Sequence, residues 1–414
     1  MRSRDFVERM FRSYYEEVDI SPCSPANIEK REFGFIEFGR GMVRHKSFKD
    51  ENELGQYLKA NSPSDAYYSS AYYSDPETTM EKKGWLGADL IFDIDADHIP
   101  TTCNKIHDEW TCEACHFAGI GITPEKCPVC GGQKFAAKTW LCQECLDSAK
   151  LETVKLLDML ANDFGLGEKD VHVFFSGHRG YHVHVESKSV LELDPVARKE
   201  IVDYVTGLGL NIGPNNIAGK TPSKAALQKM PRLSDIGWRG RLASQMHSFI
   251  LRAEANDLVN IGVKRRAAET LIQSKDSVLK SWNDIGSYGP AKGAGPETWK
   301  RIAESCFAAS TSKVDTVVTT DIHRLIRLTD SLHGKTGLRK VEFPVSRIDD
   351  FDPFKSGVAF KGGRVTVSAN DVPEFRLGGE TFGPYKDCKV DLPVAAAVLL
   401  ICQDRAEIVD EHVQ

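Results

Sequence analysis

Asp89-Leu-Ile-Phe-Asp-Ile-Asp-Ala-Asp97 is the stretch on which the reading of the fold turns. Leu90, Phe92 and Ile94 alternate with Ile91, Asp93 and Asp95, which predicts a strand with both carboxylates on one face. Residues two apart on a strand have Cα atoms about 6.6 Å apart. Two carboxylates at that spacing can flank divalent ions, as nucleotidyl transfer requires. One ion eases deprotonation of a 3′-hydroxyl and another neutralises phosphate charge. In isolation an Asp-x-Asp pair is more often a solvated edge or turn, but the residues around this one are too apolar for that reading to be comfortable. Asp89 and Asp97 are nearby reserves that read first as flanking or solvated.

Directly after this strand the chain becomes rich in cysteine. Seven of its eleven cysteines fall between Cys103 and Cys145, in three Cys-x-x-Cys pairs preceded by Cys103 and His107. The chain is large and its N-terminus is charged, with no apolar export signal, so metal ligation is favoured over a disulfide framework. Two residues between thiolates let both sulfurs face one ion, and a second pair completes a tetrahedron. Cys112, Cys115, Cys127 and Cys130 fit a zinc ribbon, with Gly131 and Gly132 suited to a tight knuckle. Cys142 and Cys145 then need partners, which Cys103 and His107 supply. Two nested structural zincs are expected, because full ligation by protein leaves no open catalytic position. One zinc with redundant thiols, a disulfide and an iron–sulfur cluster stand as alternatives, and His116 is a competing ligand.

Farther along, Ser176-Gly-His-Arg-Gly-Tyr-His182 joins two predicted strands, Val171 to Phe175 and Tyr181 to Glu186. Its glycines permit close backbone approach, while Ser176, Arg179 and His182 can donate to phosphate oxygens. An ordinary hairpin with solvent-facing histidines is the competing reading. Thr316 to Thr319 is strand-like, and Asp321 to Leu328 fits a short helix with Arg324 and Arg327 on one face. Ser331, His333 and Lys335 follow. Seven Lys/Arg against four Asp/Glu between Lys313 and Arg347 make a basic band in a chain of net charge −6. Such a band suits a triphosphate or a nucleic-acid backbone, although alone it reads as charged surface. Neither a P-loop nor a dinucleotide fingerprint is present, which argues against P-loop ATP hydrolysis and Rossmann hydride transfer.

At 41% hydrophobic and 27% charged residues, the chain has the balance of a folded, water-soluble protein rather than a disordered or membrane one. Its longest apolar run, Leu392 to Cys402, is 11 residues and too short to span a bilayer. Helices are expected at Arg4 to Glu17, Leu146 to Ala161 and Pro195 to Thr206. Glu32 to Phe38 and Met42 to His45 read as a hairpin, and the Tyr-rich stretch Ala66 to Tyr73 has no clear period. A Lys/Arg/Ala-rich texture from about Pro222 to Ser310 predicts a helical subdomain. Another hairpin is expected around Gly362 and Gly363, and a hydrophobic final helix from about Val394 to Ile408.

Arg31-Glu-Phe, Met42 to Phe48, Phe92-Asp-Ile-Asp95 and Ser176 to His182 form an ordered series with Val314-Asp-Thr-Val-Val-Thr319, Asp321 to Arg327 and Ser331-Leu-His-Gly-Lys-Thr-Gly337. In order and spacing the series resembles the catalytic small subunit of archaeal and eukaryotic-type DNA primase. The resemblance implies an α+β fold, a mixed α/β archaeo-eukaryotic primase catalytic core and not a right-hand polymerase. That core would comprise residues 1–102, 146–221 and 311–391. A zinc-binding module at 103–145, a helical subdomain at 222–310 and a C-terminal helix at 392–414 would complete the chain.

By the same resemblance, Asp315 joins Asp93 and Asp95 as the third metal-binding aspartate, the three holding two Mg²⁺ or Mn²⁺ ions. Ser176, Arg179 and His182 match the motif that contacts the incoming triphosphate, while Arg327, His333 and Lys335 match basic positions near it. His178 and Arg324 stand beside these sets. One zinc module follows the aspartates in the family, at the place of Cys103, His107, Cys142 and Cys145; Cys112 to Cys130 is an additional ribbon. The implied reaction is de novo synthesis of a short RNA or DNA primer on single-stranded DNA, from nucleoside triphosphates with release of pyrophosphate. A large regulatory primase subunit with an iron–sulfur domain is the implied partner, and a cytoplasmic, nucleoid-associated place in an archaeal cell the implied setting. A primase-polymerase used for elongation or repair and a non-catalytic zinc-ribbon DNA-binding subunit are the competing readings.

Overall fold

The alternation around Asp93 becomes a strand because its apolar face completes a sheet. The computed structural model describes residues 2–19, 24–210, 231–285 and 294–410. They divide into two units: Met1–Val154 with Gly167–Val202 and Lys313–Gln414, and Lys155–Leu166 with Asp203–Ser312. Eight strands of the first unit position the site. They are β1 (Phe33–Glu37), β2 (Gly41–Lys46), β3 (Asp65–Ser69), β4 (Leu90–Asp95), β5 (Val171–Phe175), β6 (Gly180–Val185), β7 (Leu325–Arg327) and β8 (Val341–Phe343). One antiparallel sheet runs β7-β3-β1-β2 and the other β8-β5-β6-β4. Phe33, Phe35, Phe92, Ile94, Val173 and Val183 are fully buried between and behind them. The expected α+β class holds.

Asp89 is not a solvated flank. It is buried and paired with the Arg31 guanidinium at 2.7 Å, and the Tyr72 hydroxyl donates to it at 3.0 Å. Burying a charge is tolerable only with such a partner.

The helical unit begins earlier than Pro222 and takes in the end of the helix Gln143–Asn162. Arg241 draws that end in, pairing with Asp158 and with Asp163, and the Tyr204 hydroxyl donates to Asp163 at 2.9 Å. Its core is apolar and aromatic, with Met246, Ile250, Leu258, Leu271, Trp282, Trp299 and Ile302. Positions 211–230, where the expected boundary falls, lie outside the described residues.

Four local expectations are corrected. Thr316–Thr320 is a helix, because the Asp315 carboxylate caps it by accepting from the amides of Val317 and Val318, outweighing the β-branched composition. Leu325–Arg327 is a strand, with Ile326 buried opposite Tyr68. The final helix stops at Cys402, and Ala406–Asp410 is a strand paired with Arg364–Val372. Ala406 and Ile408 are buried with a period of two, which a helix could not satisfy. Gly362 and Gly363 only lead into the strand Arg364–Val372; the hairpin lies at Gly378 and Gly379, between Phe375–Leu377 and Glu380–Phe382.

No helix among the described residues is long and apolar enough to cross a membrane.

The register of β6 against β4 pairs Gly180 with Asp95 and His182 with Asp93. A Cβ on Gly180 would lie 2.3 Å from the Ile94 carbonyl oxygen and 3.0 Å from the Asp95 Cα. Both are backbone atoms and cannot swing aside. Gly180→Ala is expected to cost about 3 kcal/mol, the upper end of overpacking penalties, read as a lower midpoint in chemical denaturation. A wild-type midpoint would show that the β4–β6 contact is looser than this.

Candidate active site and metal centres

Asp93 and Asp95 point from β4 into a cavity of ≈ 180 Å³. Its other lining residues are Tyr67, Ile91, Ser176, His178, His182, Val318, Arg324, Leu325, Ile326, Arg327 and His333. Asp315 does not line the cavity but stands behind Asp93, its amide donating to the Asp93 carbonyl at 2.9 Å. Burial pushes the Asp93 carboxyl up to about 7, with the charges of Asp95 and then Asp315 adding to the push. A divalent cation beside these carboxylates would reverse it, and their oxygens are the hard donors that Mg²⁺ or Mn²⁺ takes, although among the described residues only the two cysteine groups bring three or more ligand atoms within 4.8 Å of one another.

The facing wall is basic. Arg327 is held by Asp65 at 2.7 Å and by the Leu332 carbonyl at 2.9 Å. His178 and His333 stack, with ring centroids 4.9 Å apart. Burial lowers His178 to about 4 and takes His182 and His333 well below the usual imidazole range. His178 Nε2 is buried without a protein partner, and His182 Nε2 sits 3.5 Å from an Asp93 oxygen. The Ser176 oxygen accepts from the amides of His178 and Gly180, at 3.2 and 3.3 Å, which closes the turn. Lys335 is exposed and does not line the cavity; its amide donates to His333 Nδ1 at 3.1 Å.

Arg179 is placed differently from the triphosphate contact expected of it. It is fully buried and absent from the cavity wall. Its two terminal nitrogens donate to Asp108 at 3.2 and 2.8 Å, one pairs with Asp97 at 2.7 Å, and the other donates to Cys145 Sγ at 3.3 Å. A guanidinium committed to two carboxylates and a thiol has turned from the cavity toward the cysteine-rich module.

That module is a three-stranded sheet of Glu109–Cys112, Ala118–Ile120 and Phe135–Lys138, with Trp110 packed on Phe117 and Phe135. Its donors converge in two groups, Cys112 with Cys115, Cys127 and Cys130, and Cys103 with His107, Cys142 and Cys145. His116 belongs to neither. Within each group the ligand atoms lie within 4.8 Å of one another. The sulfur pairs are 3.4 to 3.6 Å apart, far beyond the about 2.05 Å of a disulfide. A tetrahedral zinc with about 2.3 Å bonds needs sulfurs roughly 3.8 Å apart, so both groups fit zinc. His107 offers Nε2 to its group while Nδ1 meets Asp108 at 2.6 Å, the usual support of a ligating imidazole. Cys145 is held well below the ordinary thiol range, first by Cys142 and then by His107 and Arg179.

Sequence reasoning passed over Tyr67 and Asp108. Tyr67 was hidden in a stretch without period, whereas Asp108 had a readable signal, a carboxylate directly after a candidate histidine ligand. Metal analysis of the purified protein should find about two zincs per chain, and Cys142→Ser should remove one of them. A metal-free native protein would contradict both centres.

A family model described as DNA primase small subunit matches residues 131–345. The DNA primase small subunit of Nitrosopumilus maritimus is 33% identical, covering 97% of this chain and 98% of that protein. Those of Methanothrix thermoacetophila and Cenarchaeum symbiosum are each 34% identical, covering 98% of this chain and 99% of theirs. With the paired aspartates, the basic turn and the cysteine module all inside the aligned length, the chain belongs to the family of DNA primase small subunits.

Proposed function

We propose that the cavity joins nucleoside triphosphates into a primer on single-stranded DNA without a pre-existing end, releasing pyrophosphate at each step. One observation carries this reading: Asp93 and Asp95, with Asp315 bonded beside them, face Arg324, Arg327, His178 and His333 across a single cavity. Nucleotidyl transfer needs both charges, acid to collect cations and base to receive phosphates.

Mg²⁺ or Mn²⁺ held by Asp93, Asp95 and Asp315 would ease loss of the 3′-hydroxyl proton and neutralise phosphate charge. Arg324 and Arg327 take the triphosphate oxygens, and Arg327 arrives already braced by Asp65, with little side-chain freedom left to lose. His178 and His333 are kept neutral by burial, and a polyphosphate beside them favours the protonated forms. Ser176 keeps its hydroxyl hydrogen for a phosphate while its oxygen holds the turn. His182 orients Asp93, and Lys335, exposed two residues after His333, meets the outer end of the triphosphate. A large regulatory subunit with an iron–sulfur domain is the proposed partner, acting with this chain at nucleoid DNA in the cytoplasm.

The test is primer-free synthesis on single-stranded DNA with Mg²⁺ or Mn²⁺, comparing wild type with Asp95→Asn. The amide keeps an oxygen for the Asp97 backbone amide, which donates to Asp95 at 3.0 Å, so the fold should survive. Losing roughly 3 kcal/mol of charge stabilisation predicts at least a ~100-fold slower rate. Unchanged synthesis by Asp95→Asn, or product only when a primer is supplied, would defeat the proposal.

A further inference from the structure

We propose that Arg179 is a positioning residue. With Asp108 it ties the Cys103, His107, Cys142 and Cys145 centre to Asp95, so that this centre tunes how tightly the paired aspartates bind a divalent cation. The inference rests on the reading of Asp93 and Asp95 as metal ligands and on the fit of the cysteine-histidine group to zinc.

A continuous run of short polar contacts carries it. At the module end, one carboxylate, Asp108, receives His107 Nδ1 at 2.6 Å, the Trp140 amide at 3.1 Å and the Arg179 fork at 3.2 and 2.8 Å. Arg179 also donates directly to Cys145 Sγ at 3.3 Å. The guanidinium thus grips one ligand of the centre itself and the carboxylate that orients another. At the catalytic end, Arg179 pairs with Asp97 at 2.7 Å, and the Asp97 amide donates to the Asp95 carboxylate at 3.0 Å. The Arg179 carbonyl accepts from the Ala96 amide at 3.1 Å, which fixes the same two turns by backbone as well.

Burial gives the contacts at the module end their rigidity, while Asp97, the link toward Asp95, is 36% exposed. Arg179 is fully buried and Asp108 nearly so, and a buried guanidinium cannot trade its partners for water. A planar fork bound at both nitrogens has one orientation, whereas an ammonium would pivot. A shift of the cysteine-histidine centre therefore moves Asp108, Arg179 and Asp97 in turn, and Asp95 with them. The ribbon cysteines behave otherwise: their sulfurs contact one another, as Cys112 with Cys130 and Cys115 with Cys127, and the Gly132 amide.

The experiment measures Mn²⁺ binding to the full chain by electron paramagnetic resonance, without nucleotide, for wild type, Arg179→Met, Arg179→Lys, Asp108→Asn and the Arg179→Met/Asp108→Asn pair. Zinc content, kcat and nucleotide KM are measured on the same samples. Each single change should weaken Mn²⁺ binding by about 10- to 100-fold, the usual effect of losing support behind a ligand. It should lower kcat and leave nucleotide KM and zinc content unchanged. The pair should bind Mn²⁺ no more weakly than the worse single change, because both cut one path. Arg179→Lys keeps the charge and serves if the methionine variant does not fold.

Wild-type Mn²⁺ affinity in Arg179→Lys or Asp108→Asn overturns the inference. So does a raised nucleotide KM in Arg179→Met with Mn²⁺ binding intact, which would make Arg179 a phosphate contact. Loss of zinc from the Asp108→Asn protein would make the pair a folding element of the module, and that too overturns it. A wild type that binds no Mn²⁺ takes down the reading of the aspartates and this inference together, whereas intact binding in every variant sinks this inference alone.

Discussion

Holding the Asp93 carboxyl buried beside Asp95 and close to Asp315 is unfavourable, and much of the first unit is arranged around that constraint. Asp93 shows the cost, since burial and its two acidic neighbours together raise its proton affinity. Asp95 and Asp315 are each held by contacts beyond their own strand or helix. Asp95 lies where β6 has only glycine to offer, and the Asp97 amide grips its oxygen. Asp315 arrives from more than 200 residues away and is pinned by its backbone to the Asp93 carbonyl. Two residues earlier, the Lys313 amide donates to the buried Glu152 carboxylate at 2.9 Å, so the returning chain is fixed before it reaches the site.

Beneath the cavity the two catalytic sheets are stitched by buried polar groups. Lys340 is fully buried and donates to the Arg327 carbonyl at 2.9 Å, with its other contact His184 Nε2 at 3.4 Å. On the far side of that imidazole, Nδ1 lies 3.5 Å from the Tyr68 hydroxyl on β3. Burial, and next the Arg327 charge, bring the Lys340 ammonium down to about 7. A lysine so close to neutrality can sit near Asp93 without neutralising it. It serves as a strut for the basic wall.

The parts legible in sequence were those set by local chemistry. Period-two alternation gives β4 and the common face of Asp93 and Asp95, and Cys-x-x-Cys spacing gives both donor groups, because a knuckle is a local object. Elements decided by distant partners were misread. Thr316–Thr320 looks like a strand until the Asp315 cap is seen, and Leu325–Arg327 becomes a strand only because β3 is waiting for it. The same holds for Ala406–Asp410 beside Arg364–Val372. Residue type alone also misplaced Arg179. A guanidinium in a glycine-flanked turn suits phosphate equally well whichever way it points, and only Asp108, about 70 positions earlier, decides the direction.

The net charge of −6 says little about such a site, because most of the cations that matter are spent internally. Arg31 is neutralised by Asp89, and Arg179 by Asp97 and Asp108. Arg198 is buried against the carbonyls of Ala88, Asp89 and Leu193. These arginines hold the scaffold in register and contribute little net field at the surface. Binding to single-stranded DNA strengthens with each phosphate neutralised, by about 0.7 in the slope of affinity against salt. A basic wall of a few side chains can neutralise only a few of the phosphates that a long strand presents. Where each charge sits, more than the sum, decides what such a site can receive.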